Sequence, residues 1–458
     1  MTKPELNINA RDGLRVVLAA GFLLLLGANL PGHLSYDSVA QLYEGHFHVR
    51  ETWGPASYAW LLGLFDAVIP GTALYVVASA LLLFLSLASF DGLRNRIGWA
   101  GVAVAALVLL TPQVLVYQAI VWKDVMFANA AVAALVLLAH AARDWDDRRR
   151  RWLWLVGVVL LLALASLVRQ NGIIVTAMAA LALGWIASRG RWVRGGVWAL
   201  GLLFVVLLAA QGLTRLAEPA NAPPDTAFHK GVRILQNYDI AGAVTLDPGY
   251  RLTALEKADP VAAKVIESRA PLGYSGQRID FLDDDAAFGA ALWDVPDPAI
   301  RAQWADLVLR HPVLYLRVRM EDFRWVFATP VVDRCLPIYV GVDAPAEKMQ
   351  PLGLQHRFTH ADRQLMNYHT WFLDTPLYSH VAYAALGLVL AGLLLARRDP
   401  ADIAMIALLL SGVAFAASFF VISIACDYRY LYFTDLSALV GLVYVAVDFP
   451  LRRRRAAA

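Results

Sequence analysis

Charge is scarce in this chain: Asp, Glu, Lys and Arg make up 17% of its 458 residues, against 59% hydrophobic residues. An ordinary soluble enzyme keeps its apolar share near half, so a water-soluble globule is excluded. Lysines are few and the formal net charge is only +3, so no nucleic-acid partner is expected. Cysteine is nearly absent, with Cys335 and Cys426 alone, which excludes a disulfide-dense scaffold. Internal repeats and low-complexity segments are also missing, which excludes a repeat array.

What the chain has instead is long apolar runs. GLRVVLAAGFLLLLGANL and GWAGVAVAALVLLTPQVLVYQAIV each approach the roughly 20 residues that cross a hydrocarbon core. Ten spans are predicted: 14–30, 71–90, 98–121, 125–142, 152–168, 171–188, 197–214, 377–396, 402–424 and 431–449. The first run has no small-residue cleavage site after it and is expected to stay attached. SYAWLLGLFDAVI at 57–69 is left out, because thirteen residues cover only about 20 Å of a roughly 30 Å core.

Basic residues give the orientation. Clusters stand at Lys3, Arg11 and Arg15, at Arg94 and Arg96, at Arg143 with Arg148 to Arg151, at Arg189, Arg191 and Arg194, at Arg397 and Arg398, and at 452–455. Between them the connections carry single cations: Arg50, Lys123, Arg169 and Arg429. Basic residues in short loops resist translocation, so the clustered loops and both termini are expected inside and the sparse loops outside. Counting 57–69 as a span would invert every later loop, so it is read as an interfacial or re-entrant helix.

The expected fold is thus an all-α polytopic membrane protein of about ten transmembrane helices, with juxtamembrane helices in the first outer loop and a mainly helical outer domain. Its parts are a seven-helix module over 1–215 with its first outer loop at 31–70, an outer domain over 216–376, and a three-helix segment over 377–458. Within the outer domain, PAIRAQWADLVLRHPVLYLRVRMEDFRWVF reads as one or two amphipathic helices broken at Pro312. Both cysteines fall outside, where a disulfide can persist, although two separate thiols are the reading the sequence favours.

Chemistry concentrates in the outer loops. Asp37 follows a helix-breaking Pro-Gly and precedes a short helix, SVAQLYEG; it is either the N-cap of that helix or a general base at the membrane surface. WKD at 122–124 and RQN at 169–171 leave almost no loop, so Lys123, Asp124, Arg169 and Asn171 sit at the outer surface. His33, His46, His48 and Glu44 fit no compact ligand spacing, so no metal site is assigned and a divalent cation is not favoured.

In combination, HLSYDSVAQ around Asp37, WGPASYAWLLGLF, the pair Lys123 and Asp124, RQNG at 169–172 and YRYLYFTDL around Arg429 resemble the GT-C superfamily of lipid-linked-sugar glycosyltransferases. This group includes protein mannosyltransferases and aminoarabinose transferases. The resemblance covers the first seven spans and the last outer loop; 216–376 matches no domain of the superfamily. Where many relatives carry His before the proline, this chain has Trp53, Gly54 and Pro55.

The resemblance implies inverting transfer of a sugar from a polyprenyl-phosphate donor to an acceptor outside the cytoplasmic membrane of a bacterium. Asp37 would be the base and Lys123, Arg169 and Arg429 would bind the donor phosphate. Asp124, His33, Gln41, Trp53, Tyr58, Asn171 and Tyr428 would line the substrate pocket. The rival readings are a transporter or lipid flippase, and a glycan polymerase or ligase. Nearly charge-free spans and the lack of internal symmetry weigh against the first, while Arg301, Arg310, Arg317, Arg319 and Arg324 keep the second open.

Overall fold

The computed structural model describes residues 9–52, 54–94, 96–219, 227–397 and 399–449. Lys3, Trp53, Arg398 and the arginines at 452–455 lie outside them. Among the described residues the chain is helical, with β-type pairing confined to isolated bridges, and it is an all-α polytopic membrane protein.

In chain order the first helices are α1 (Ala10–Asn29), α2 (Tyr36–Phe47), α3 (Ala56–Val68), α4 (Ala73–Leu93), α5 (Trp99–Leu109) and α6 (Pro112–Ala119). Then come α7 (Lys123–Arg143), α8 (Arg148–Val168), α9 (Gln170–Ser188) and α10 (Trp192–Ala217). After them run α11 (Ala227–Leu246), α12 (Thr253–Ala258), α13 (Pro260–Gly273), α14 (Ala286–Trp293), α15 (Asp297–Arg310) and α16 (Pro312–Phe323). The chain closes with α17 (His360–Thr370), α18 (His380–Arg397), α19 (Pro400–Ile422) and α20 (Tyr432–Ala446).

Eight of these, α1, α4, α7, α8, α9, α10, α18 and α19, are long and apolar enough to cross a membrane. The stretch 98–121, expected as one span, is a pair, α5 and α6, bent by 67°. Pro112 has no N–H to continue the ladder and pushes the preceding residue out of the helical region, so the turn falls there. The last expected span, 431–449, holds the 15-residue α20, about 22 Å of helix at 1.5 Å per residue.

Two compact units divide the chain. The first takes residues 1–222, 338–415 and 432–458. At its centre α7 runs between α4, α8, α9 and α20, and 89% of its apolar window is buried. Ala128, Ala130, Ala131 and Ala134 are completely covered; small side chains let neighbouring backbones approach closely where lipid gives no hydrophobic drive. Polar groups inside this core satisfy one another. Asn129 donates to Ser79 O (3.0 Å) and Gln118 Oε1 (2.8 Å), Gln118 donates to Tyr432 OH (2.8 Å), and Tyr432 donates to Gln113 O (2.7 Å). At the other end of the bundle Arg397 donates to Asp402 (2.7 and 2.5 Å), and Arg94 reaches the same carboxylate with its guanidinium 4.3 Å from the Tyr444 ring centroid. Such paired charges are the form in which ionised groups are tolerated within a membrane bundle.

The second unit takes residues 223–337 and 416–431. Its core gathers Tyr238, Ile240, Leu255, Ile266, Phe288, Leu307 and Val318. Beside that core sits a fully buried Arg319 between Asp239 (2.5 Å) and Asp322. Trp304 Nε1 donates to Asp239 (2.7 Å), Tyr274 OH donates to Asp322 (2.7 Å), and Arg319 also donates to the carbonyls of Val421 (3.1 Å) and Ser423 (2.9 Å). Burial pushes the Asp239 carboxyl up to about 6 even with Arg319 beside it. The expected break before Pro312 is present between α15 and α16. Cys335 and Cys426 are joined in a disulfide with Cα atoms 5.0 Å apart, so the favoured reading of two separate thiols is corrected. The partners lie 91 residues apart in sequence, and only the return of the chain after α19 brings them together.

Candidate active site

The site is built around extended segments that lock the loop between α1 and α2 to the start of α7. His33 N–H donates to Ala119 O (3.0 Å) and Val121 N–H donates to His33 O (2.9 Å), a parallel bridge between His33 and Ile120. On the other side Leu34 N–H donates to Gly341 O (2.9 Å) and Asp343 N–H donates to Leu34 O (3.1 Å). Val342 pairs in turn with Arg357 through reciprocal bonds of 2.9 and 3.0 Å. Residues near 340–362, read from the sequence as part of the outer stretch, therefore hold the first loop directly. Gly32 makes the approach possible: its φ of +111° is left-handed, and a Cβ there would lie 2.8 Å from Val76 and 3.2 Å from Ala119 O.

This register sets two helix starts side by side. Counting from the bridged pair, α2 begins at Tyr36, three residues past His33, and α7 begins at Lys123, three residues past Ile120. Trp122 Nε1 donates to Ser35 Oγ (2.9 Å), tying the residue before one helix to the residue before the other. Asp37 and Asp124 are then the second residues of adjacent helices. Ser35 occupies the N-cap position, so Asp37 is a first-turn residue and not the cap, and it is exposed.

Asp124 is buried and pairs with Arg169, which closes the C-terminus of α8 and is itself only 11% exposed. The Arg169 guanidinium lies 6.0 Å from the Phe415 ring centroid, and Lys123 is partly buried at the first position of α7. Two helix N-termini bring partial positive charge to the same locality, so a phosphate or another anion would meet aligned N–H groups as well as cations.

The remaining expected residues are distributed unevenly. His33 is buried; its Nε2 lies 3.0 Å from Asn29 Oδ1 and its Nδ1 accepts the Gly341 N–H (3.0 Å). Burial pushes this imidazole down to about 4, and Arg357 adds to the effect while Asp362, 3.5 Å away, opposes it. Gln41 is buried beneath Gly54, and Tyr58 is buried with its hydroxyl 2.9 Å from that of Tyr75. Asn171 is partly buried in the single turn Gln170–Gly172. Tyr428 and Arg429 belong to the second unit, where Tyr428 is buried and Arg429 donates to Asp427 (3.0 Å).

Sequence reasoning missed three contributors. Arg357 donates to Gly32 O (2.6 Å) and stands 3.7 Å from Asp362, which places a cation and a carboxylate behind the Asp37 loop. Glu44, also buried, accepts the N–H groups of Glu51 (2.8 Å) and Thr52 and folds the 49–52 segment back onto α2. Only the alternation of charge along HRFTHADRQ hints at the first pair, and a lone Glu in a short helix gives no signal for the other.

No family model matches the chain, and no curated protein does. Among solved structures it is similar to the archaeal oligosaccharyltransferase AglB of Archaeoglobus fulgidus in complex with an inhibitory peptide and a dolichol-phosphate, at 14% identity and a TM-score of 0.41. That match covers 94% of this chain and 50% of the oligosaccharyltransferase, so the chain spans half the length of that protein. It is also similar to ArnT of Cupriavidus metallidurans, at 16% identity and a TM-score of 0.37 in the apo state and at 14% and 0.35 bound to undecaprenyl phosphate. These two matches each cover 94% of this chain and 77% of ArnT.

Proposed function

We propose that the chain is a membrane glycosyltransferase that moves a sugar from a polyprenyl-phosphate donor to an acceptor hydroxyl outside the cytoplasmic membrane, with inversion. The observation that supports this reading is the parallel bridge of His33 with Ile120, which joins the segment leading into the helix of exposed Asp37 to the segment leading into the helix of Lys123 and of Asp124, the partner of Arg169. An exposed carboxylate next to a dry cationic corner is what such a displacement needs.

In the proposed step the Asp37 carboxylate takes the acceptor proton as the acceptor atom bonds to the anomeric carbon. The bond from that carbon to the phosphate oxygen breaks, and the lipid phosphate leaves with the electron pair. Lys123 and Arg169 would neutralise the leaving phosphate. Because that anion is weakly basic, no separate general acid is required, unlike glycoside hydrolysis. Asp124 would hold Arg169 in position. The lipid tail would stay in the bilayer.

The outward orientation of the site is supported by the charge map, in which the connections that carry Lys123 and Arg169 are sparse in basic residues. Donor binding and single-turnover transfer in purified Asp37→Asn test the reading. The expected result is retained donor binding with turnover reduced about 10²–10⁴-fold. Turnover at the parent rate would reject Asp37 as the base.

A further inference from the structure

Helix α16 presents apolar side chains on both of its faces. Leu314 and Val318 turn inward to the core of the second unit. On the opposite face Val313 is 72% exposed, Leu316 50% and Met320 56%. Positions 313, 316 and 320 fall on one side of a 3.6-residue helix, and Arg317 and Arg324, both exposed, flank them. A water-facing helix of a folded domain would carry polar groups there.

The surroundings of α16 say what covers the stripe. Arg319, on the same helix, donates to the carbonyls of Val421 and Ser423, and the Phe323 ring lies 5.7 Å from that of Phe420. Phe420 to Ile422 are the last residues of α19, one of the helices long and apolar enough to cross a membrane, and Val421 and Ile422 are themselves exposed. The stripe is therefore joined to the point where a spanning helix runs out. Apolar surface continuous with a helix end, bordered by arginines, has the composition of an interfacial helix.

We propose that α16 lies in the bilayer surface at which α19 ends. Val313, Leu316 and Met320 enter the acyl boundary, and Arg317 and Arg324 reach lipid phosphates. The second unit is then held on the membrane by its own helix in addition to the chain connections. This does not depend on the transferase reading.

The test uses the full chain in phospholipid vesicles with single nitroxide labels at Val313→Cys, Leu316→Cys and Met320→Cys, and at Arg301→Cys on α15 as the aqueous reference. Cys335 and Cys426 are paired and remain unlabelled. Collision with membrane-soluble oxygen should exceed collision with a water-soluble nickel chelate several-fold at the three stripe positions, and the reverse should hold at Arg301→Cys. Stripe labels that meet the chelate as freely as the reference would overturn the proposal. So would labels shielded from both reagents, which would mean a protein surface covers the face. Three positions exposed by half or more make it improbable that all the variants fail together, and retention of the disulfide checks the fold of each.

Discussion

Helices α7 and α10 match in length class and apolar character, yet 89% of the apolar window of α7 is buried and only 11% of that of α10. Their compositions explain the difference. KDVMFANAAVAALVLLAHAAR is dense in alanine and carries Asn129 inside, whereas WVRGGVWALGLLFVVLLAAQGLTRLA faces outward with Trp192, Val197, Leu200 and Phe204. Hydropathy cannot separate the two, because a lipid tail and a protein interior are equally apolar to a leucine. The helix that is enclosed is also the one whose first turn supplies Lys123 and Asp124, and enclosure is what keeps that corner dry.

The comparison breaks hardest at the end of α7. Asp124→Ala strands Arg169 in a partly dry site, and the loss of stability should be about 3–5 kcal/mol, read as a fall in the detergent-solubilised melting midpoint, together with loss of transfer. Unchanged melting would mean that water already screens the pair and that the corner is not enclosed.

A smaller effect is expected from the clamp beside it. His33 titrates at 6.5 when unfolded and near 4 when folded, so between these values the unfolded chain binds more protons. The contribution is present above about pH 6.5 and is lost as pH falls toward 4, by an amount on the order of 3 kcal/mol. The melting difference between the parent and His33→Gln should therefore shrink as the medium is acidified from pH 7 to pH 4. A difference independent of pH would mean that the imidazole is not held neutral. Asp239 contributes with the opposite sign, since its raised carboxyl favours the folded state at low pH, so only the difference between the two proteins isolates His33.

The smallest and most direct contrast is steric. Ala131→Leu, at a completely covered position of α7, should cost about 1–3 kcal/mol by overpacking. Leu207→Ala, at a position of α10 that is 51% exposed, should stay within about 0.5 kcal/mol of the parent. Equal responses in chemical denaturation would erase the distinction between the two helices.

Much of the fold was legible because spans and charge asymmetry are local signals. The thirteen-residue stretch after Pro55 is the short helix α3, and the tight turns before Lys123 and after Arg169 stand where the apolar runs stop. The candidate site was legible as separate pieces: Asp37 by its place after Pro-Gly, Lys123 and Arg169 by their isolation between spans. Their assembly was not. The Asp124–Arg169 pair, the bridge from His33 to Ile120, and the hold of Arg357 on Gly32 join residues between 45 and 325 positions apart, and neither periodicity nor spacing records such pairings. The pairing of Arg94 and Arg397 with Asp402 was likewise invisible in the sequence, where the two arginines stand in separate basic clusters.

From its residues alone the chain is committed to cross a membrane many times, because the preference of an apolar run for hydrocarbon adds up residue by residue. Which helix lies at the centre, which carboxylate stays wet and which finds a cation were decided by tertiary structure. Those outcomes depend on what surrounds each group, and a side chain meets its surroundings only after distant segments have paired.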